Sequence, residues 1–278
     1  MKNSGDGFVT KKKFGQNFLT SPDIPRKIAA SCGADKSIGV LEIGPGKGIL
    51  TVELAKVAGK VCAVEIDTEL ETHLTENLKN FNNTEVVYGD ILDFDLKELI
   101  KLKFGDMDVC VCANLPYYIT TPILMKLLES GAGFKSITIM VQREVAARLC
   151  AKPGSAEYGA ITASVNYYSD IKKLFKVPAG CFNPVPKVDS AVIKLTMPPQ
   201  NPVIPKNEEL FLKIIRAAFA QRRKTLVNNL FALFEGKTTK EQIAIELTEA
   251  GFEPDIRGEK LGIKEFCIIA DSYSEKSF

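Results

Sequence analysis

At 278 residues, with 45% hydrophobic and 25% charged residues and a net charge of +2, the chain has the composition of a globular protein long enough for one large domain and a small one. No apolar run approaches the roughly 20 residues that span a bilayer, and the N-terminus lacks the basic-then-apolar layout of a secretory signal, so a cytoplasmic protein is expected. Seven scattered cysteines without a C-x-x-C pair, and a single histidine at His73, argue against a disulfide framework and against a zinc site; no metal is expected.

Charge is distributed unevenly. Residues 1–30 carry six Lys or Arg against Asp6 and Asp23, and residues 201–230 carry six against Glu208 and Glu209. Two basic patches on a nearly neutral chain suit contact with a polyanion; solvated helix faces are the alternative.

From about residue 38 to 141, short β-rich runs alternate with helical spacing. Strands are predicted at Gly39–Ile43, Lys60–Ile66, Glu85–Tyr88, Val109–Ala113 and Ser136–Val141, with helices over Lys47–Val57, Glu69–Asn80 and Thr121–Ser130. Such alternation predicts an α/β fold, a parallel sheet with helices on both faces. A helix follows over Ala156–Tyr168. Lys172–Val177 and Ser190–Leu195, joined by a proline-rich stretch, would close the sheet edge as a hairpin. The segment Met197–Pro205 holds four prolines in nine residues and reads as a semi-rigid linker. Beyond it, Leu210, Phe211, Ile214, Ile215, Ala218 and Phe219 have helical spacing. The boundaries drawn are 1–200 for a Rossmann-like domain and 206–278 for a small all-helical one.

The motifs cluster at strand ends. Glu42-Ile-Gly44-Pro-Gly46-Lys-Gly48 closes the first strand and opens a helix. Its glycines let backbone approach a ligand, and a helix N-terminus offers free N–H groups. The nicotinamide fingerprint G-x-G-x-x-G would need glycine where Ile49 stands. An acid before G-x-G-x-G suits S-adenosylmethionine better, since its amino-acid end has a carboxylate and an ammonium but no pyrophosphate. Glu65, at the next strand end, can take both ribose hydroxyls, and Asp90, at the third, can accept from an adenine amino group. Asn114-Leu115-Pro116-Tyr117 ends the fourth. An amide and a backbone carbonyl there can accept hydrogen bonds from an exocyclic NH2, and Tyr117 can stack on the ring that carries it. Four such residues at four successive strand ends point to S-adenosylmethionine and a planar amine, most simply a nucleobase. Tyr118 is expected to point away from Tyr117.

With those residues in hand, the chain resembles the KsgA/RsmA family of ribosomal RNA adenine dimethyltransferases, from Lys13 to about Leu261. The resemblance is carried by Phe14-Gly-Gln-Asn17-Phe-Leu19, Glu42–Gly48, Val64-Glu-Ile-Asp67, Gly89-Asp90, Asn114–Tyr117, Val141-Gln-Arg-Glu144, Phe182-Asn-Pro-Val-Pro-Lys-Val-Asp189-Ser and Ala218-Phe-Ala-Gln-Arg-Arg-Lys-Thr-Leu226. It implies a class I S-adenosylmethionine-dependent methyltransferase with Asn17 and Leu19 also lining the cofactor site. It implies dimethylation at N6 of two adjacent adenosines in the loop of the 3′-terminal hairpin of 16S rRNA, within the small ribosomal subunit. The Erm antibiotic-resistance methyltransferases, which act on 23S rRNA, share the fold. Leu115, Asp189 and the Arg-Arg-Lys-Thr-Leu run favour the first family. Phe182 is the candidate for the second face of an aromatic sandwich, its alternative being a loop aromatic packed on the core. Arg222, Arg223 and Lys224, expected on a helix, are candidates for RNA contact or for tying the small domain to the large one. A monomer is the default.

Overall fold

The computed structural model describes residues 17–274. They fall into two compact units. The first runs to Ala146 and resumes over Ile171–Met197; the second comprises Ala147–Asp170 and the chain from Pro198 onward.

The first unit is built on a seven-stranded sheet. Its strands are β2 (Gly39–Ile43), β3 (Lys60–Glu65), β4 (Thr84–Tyr88), β5 (Val109–Asn114), β6 (Ser136–Gln142), β7 (Asp170–Val177) and β9 (Ser190–Thr196), in the order β4-β3-β2-β5-β6-β9-β7. Two further short strands, β1 (Phe18–Leu19) and β8 (Phe182–Asn183), pair antiparallel with each other. β2 is parallel to both β3 and β5, β3 to β4, and β5 to β6; β9 returns antiparallel to β6. The chain moves outward from β2 in one direction through β4 and then in the other from β5. The switch point therefore lies at the carboxyl ends of β2 and β5, where open α/β sheets bind ligands.

Composition explains the central strands. β2, and β5 up to Ala113, are buried at every position, as a strand covered on both faces requires. The intervening helices are α1 (Asp23–Ser31), α2 (Ile49–Val57), α3 (Glu71–Leu78), α4 (Leu96–Phe104), α5 (Thr120–Glu129) and α6 (Arg143–Leu149). α2 begins two residues later than its apolar spacing predicts, because Gly46 and Gly48 are left-handed (φ +60° and +81°). α1 and α6 have no counterpart among the predicted helices, and neither has α4. Its lysines mask a buried stripe of Leu96, Leu99, Ile100 and Phe104, and the Asp95 side chain caps it by accepting from Glu98 N at 3.0 Å.

The second unit contains α7 (Ala160–Tyr168), α8 (Glu208–Ala218), α9 (Leu226–Leu233), α10 (Lys240–Glu249) and α11 (Ile263–Ser274). α8 to α10 are each N-capped by a side chain, that of Asn207, Thr225 or Thr239. The apolar faces of the helices of this unit form one core, with Phe211, Ile214, Leu230, Phe266 and Ile269 fully buried. Here the boundary at residue 200 needs adjustment. Tyr158 and Tyr167 are buried in this same core, Tyr167 4.9 Å from the Phe211 ring centre, and the Tyr158 hydroxyl donates to Leu261 O at 2.9 Å. Residues 147–170 therefore pack with the C-terminal helices. Two large aromatic rings outweigh position in the chain, each contributing roughly 1.5–3 kcal/mol by burial.

Candidate active site

The site is a cavity in the first unit at the switch point. Asn17, Leu19, Gly44, Gly46, Glu65, Asp90, Asn114, Leu115, Pro116 and Tyr117 all line it; Asn17 comes from the segment that enters β1, and the others from a strand end or the loop after it. The glycine loop forms one wall. Gly44 is left-handed (φ +68°), and a Cβ added there would meet nothing within 4 Å, so this stretch of backbone faces open space. Gly46 donates to Glu65 Oε2 at 3.0 Å, while Glu65 Oε1 accepts from Asp67 N at 2.8 Å. Glu65 thus braces the loop. Burial raises its carboxyl above the ordinary glutamate range, and the two backbone donors oppose that. Asp90 is turned by accepting from Leu92 N at 2.9 Å.

β5 presents the opposite wall. Asn114 Nδ2 donates to Asn17 O at 3.4 Å, linking the end of β5 to the segment that enters β1. Leu115 buries its side chain. The Pro116 carbonyl is occupied, accepting from Ile119 N at 3.2 Å and the Thr120 hydroxyl at 3.1 Å. The Tyr117 and Ser190 hydroxyls lie 2.8 Å apart, and burial raises the phenol while Ser190 lowers it.

Three placements differ from expectation. Tyr118 does not leave the site: it lines the same cavity, 62% exposed. The strand has ended before Pro116, and Pro116–Ile119 is a turn, so alternation of faces no longer applies. Phe182 is 2% exposed, packed in a core cluster with Leu19, Val177 and Val192, and is not among the cavity-lining residues. A role for it in stacking requires that ring to be uncovered. Arg222, Arg223 and Lys224 lie on a turn between α8 and α9 and not on a helix. Helix-forming residues hide the break, which Asn229 stabilises by donating to the carbonyls of Ala218 (3.0 Å) and Gln221 (3.3 Å). Arg222 is engaged within the second unit, donating to Ala156 O at 2.9 Å and pairing with Glu259 at 3.3 Å. Arg223 and Lys224 are exposed. The first basic patch and the Phe14–Gln16 part of the N-terminal motif lie largely or wholly outside the described residues.

Sequence reasoning passed over Phe18, Lys47, Ile66 and Ile91, which also line the cavity. Lys47 Nζ lies 5.5 Å from the Phe18 ring centre, a cation–π contact between two lining residues. For Glu42, the acid before the glycine loop, the structure adds the environment. The residue is 1% exposed, lines the cavity, and its Oε2 has no hydrogen-bond partner. Burial pushes its pKa up to about 8; the nearby Thr51 hydroxyl lowers it and the Glu65 charge raises it. An orphaned buried carboxyl beside a glycine cradle fits a ligand that brings its own cation, as the ammonium of S-adenosylmethionine does.

A sheet that reverses at β2, a glycine loop after it, an acid ending β3 and Asn-Leu-Pro-Tyr ending β5 define a Rossmann-like, S-adenosyl-L-methionine-dependent methyltransferase. Comparison with known proteins sharpens this class. The chain belongs to the ribosomal RNA adenine dimethylase family, whose sequence pattern matches residues 7–261. It is 46% identical over 267 residues to the ribosomal RNA small subunit methyltransferase A of Shouchella clausii, covering 96% of this chain and 90% of that one. The protein of the same description from Geobacillus thermodenitrificans is 46% identical over 268 residues, covering 96% and 92%. Among solved structures, a dimethyladenosine transferase from Plasmodium falciparum matches with TM-score 0.77 at 28% identity, covering 93% of this chain and 98% of that one. The 23S rRNA methyltransferase ErmE matches with TM-score 0.69 at 25% identity, covering 92% and 99%. The protein is thus an S-adenosylmethionine-dependent rRNA adenine methyltransferase.

Proposed function

We propose that this protein dimethylates N6 of two adjacent adenosines in the loop of the 3′-terminal hairpin of 16S rRNA, acting on the small ribosomal subunit in the cytoplasm during its biogenesis. The observation that carries the chemistry is that Asn114–Tyr117 faces the same cavity as the glycine loop, Glu65 and Asp90. The choice of subunit rests on 46% identity to small-subunit enzymes against 25% to the 23S enzyme.

In this reading Glu65 holds the ribose hydroxyls, Asp90 the adenine amino group, and Glu42 the ammonium of the cofactor. Asn17, Leu19, Gly44 and Gly46 shape the remaining wall. S-adenosylmethionine supplies a methyl on a sulfonium, already a strong electrophile. Adenine N6 is a weak nucleophile because its lone pair is delocalised into the ring, so the protein's task is alignment. N6–H donating to the Asn114 side-chain oxygen and the Leu115 carbonyl favours a pyramidal nitrogen and stabilises the positive charge that develops on it. The target base leaves its stack, at a cost of a few kcal/mol. Stacking on Tyr117 offsets roughly 1–3 kcal/mol of that. His73, on α3, does not line the cavity, and the proton on N6 leaves to solvent after transfer. The C-terminal helical unit, with Arg223 and Lys224 exposed, serves docking on the subunit through backbone and shape contacts.

The test is transfer of labelled methyl from S-adenosylmethionine to unmethylated small subunits and, separately, to 23S rRNA, followed by digestion to nucleosides. Label in N6,N6-dimethyladenosine from the small subunit is the expected result. Asn114→Ala should lower the rate roughly 10²–10³-fold, as loss of a charge-stabilising hydrogen bond does. Label on 23S rRNA alone would transfer the assignment to the resistance enzymes.

A further inference from the structure

We propose that Ser190 is a positioning residue for methyl transfer, holding the Tyr117 ring through the hydrogen bond between their hydroxyls. The inference deepens the proposed function and rests on Tyr117 stacking against the target base.

Ser190 opens β9 and is fully buried, with Gln142, the last residue of β6, as its register partner. β6 in turn borders β5, whose end carries Asn114. The Ser190 hydroxyl therefore comes from an antiparallel strand two places across the sheet, and it meets the phenol at 2.8 Å. Its own position is set by the residue before it. Asp189 accepts from Ala179 N at 3.0 Å and pairs with Lys176 at 2.9 Å through its side chain, and its carbonyl accepts from Arg143 N at 3.0 Å. Three bonds, two to the end of β7 and the turn after it and one to the start of α6, leave the start of β9 little freedom.

Tyr117 needs such an anchor. It sits on a turn after the strand has ended, half-buried at the cavity wall, and its backbone alone does not define which way the ring face is turned. A hydrogen bond at the far end of the ring from Cβ fixes the phenol at both ends. A stacking platform held in one orientation presents N6 at one angle to the methyl donor. The contrasting account is that Ser190 merely satisfies a half-buried hydroxyl, in which case its loss costs stability and leaves turnover alone.

Initial rates of methylation of small subunits at saturating S-adenosylmethionine, cofactor Kd by calorimetry and thermal midpoints would be measured for Ser190→Ala, Tyr117→Phe, the double variant and Tyr117→Ala. Ser190→Ala and Tyr117→Phe should each lower kcat by about 5–20-fold, within the cost of a sub-ångström misplacement. KM for the subunit and cofactor Kd should stay within about twofold, because the subunit docks mainly through backbone and shape contacts away from the ring, and either variant leaves the ring itself in place. The double variant should be no worse than either single one. Additive losses, or single variants with unchanged kcat, would overturn the proposal. If Ser190→Ala does not fold, Tyr117→Phe decides alone, since it removes the same bond without disturbing β9. Tyr117→Ala separates the two levels. Its full activity would remove the stacking role itself, whereas its inactivity beside an unimpaired Tyr117→Phe would remove only the positioning role.

Discussion

At the scale of the residue, Glu42 has the clearest thermodynamic consequence. Folded Glu42 keeps its proton to about pH 8, against an ordinary glutamate value of 4.5. Between those values the unfolded chain has released the proton and the folded chain has not. Stability from this group is therefore fully present below pH 4.5 and declines as pH rises to about 8, by at most ~1.4 kcal/mol per pH unit. Glu42→Gln carries no proton to lose and should flatten that slope in urea titrations between pH 5 and 9. The same variant should weaken S-adenosylmethionine roughly 10–100-fold, as loss of one hydrogen bond to a charged group implies. A more stable protein that binds cofactor less well is the expected outcome. Gln without effect on cofactor affinity would take the ammonium out of Glu42's reach.

The element scale shows how helices fix the sheet under the site. Gly39, at the start of β2, lies against the Phe104 ring at the end of α4, where an added Cβ would come within 2.3 Å of Cδ1. Gly39→Ala should cost about 1–3 kcal/mol in denaturant unfolding, the usual range for overpacking, and Phe104→Leu in the same chain should restore part of it. Much of this layer was legible in sequence. The five strands of the α/β run appear within a residue or so of their predicted bounds because short β-rich apolar runs bounded by turn residues are local signals. α4 was not legible, since its Leu96–Phe104 stripe is interleaved with lysines that read as solvent-facing until the neighbouring strand is known. The break before Arg222 was hidden for the opposite reason. Ala, Gln, Arg and Lys all favour helix, and the turn is held by Asn229 from the next helix.

At the scale of the whole molecule, docking on a polyanion is the property to test. Arg222 is held by Ala156 and Glu259, so its charge serves the fold of the helical unit, whereas Arg223 and Lys224 are exposed. Arg223→Ala and Lys224→Ala should each weaken subunit binding and reduce the slope of log K against log salt by roughly 0.7–0.9, without changing cofactor Kd. Binding measured from 50 to 300 mM salt would check this; an unchanged slope in both variants would place the docking surface elsewhere.

Sequence by itself determined the five strands of the α/β run, the glycine turn after β2 and the placing of Glu65, Asp90 and Asn114 at strand ends. Each of these follows from periodicity and backbone preference within a few residues. Only the tertiary structure decided that Tyr118 joins the cavity, that Phe182 is packed in the core, that residues 147–170 join the C-terminal helices, and that Glu42 holds its proton and Ser190 meets Tyr117. Those depend on which distant side chains exclude water from a group or reach it, and burial of that kind is created only when the chain closes on itself.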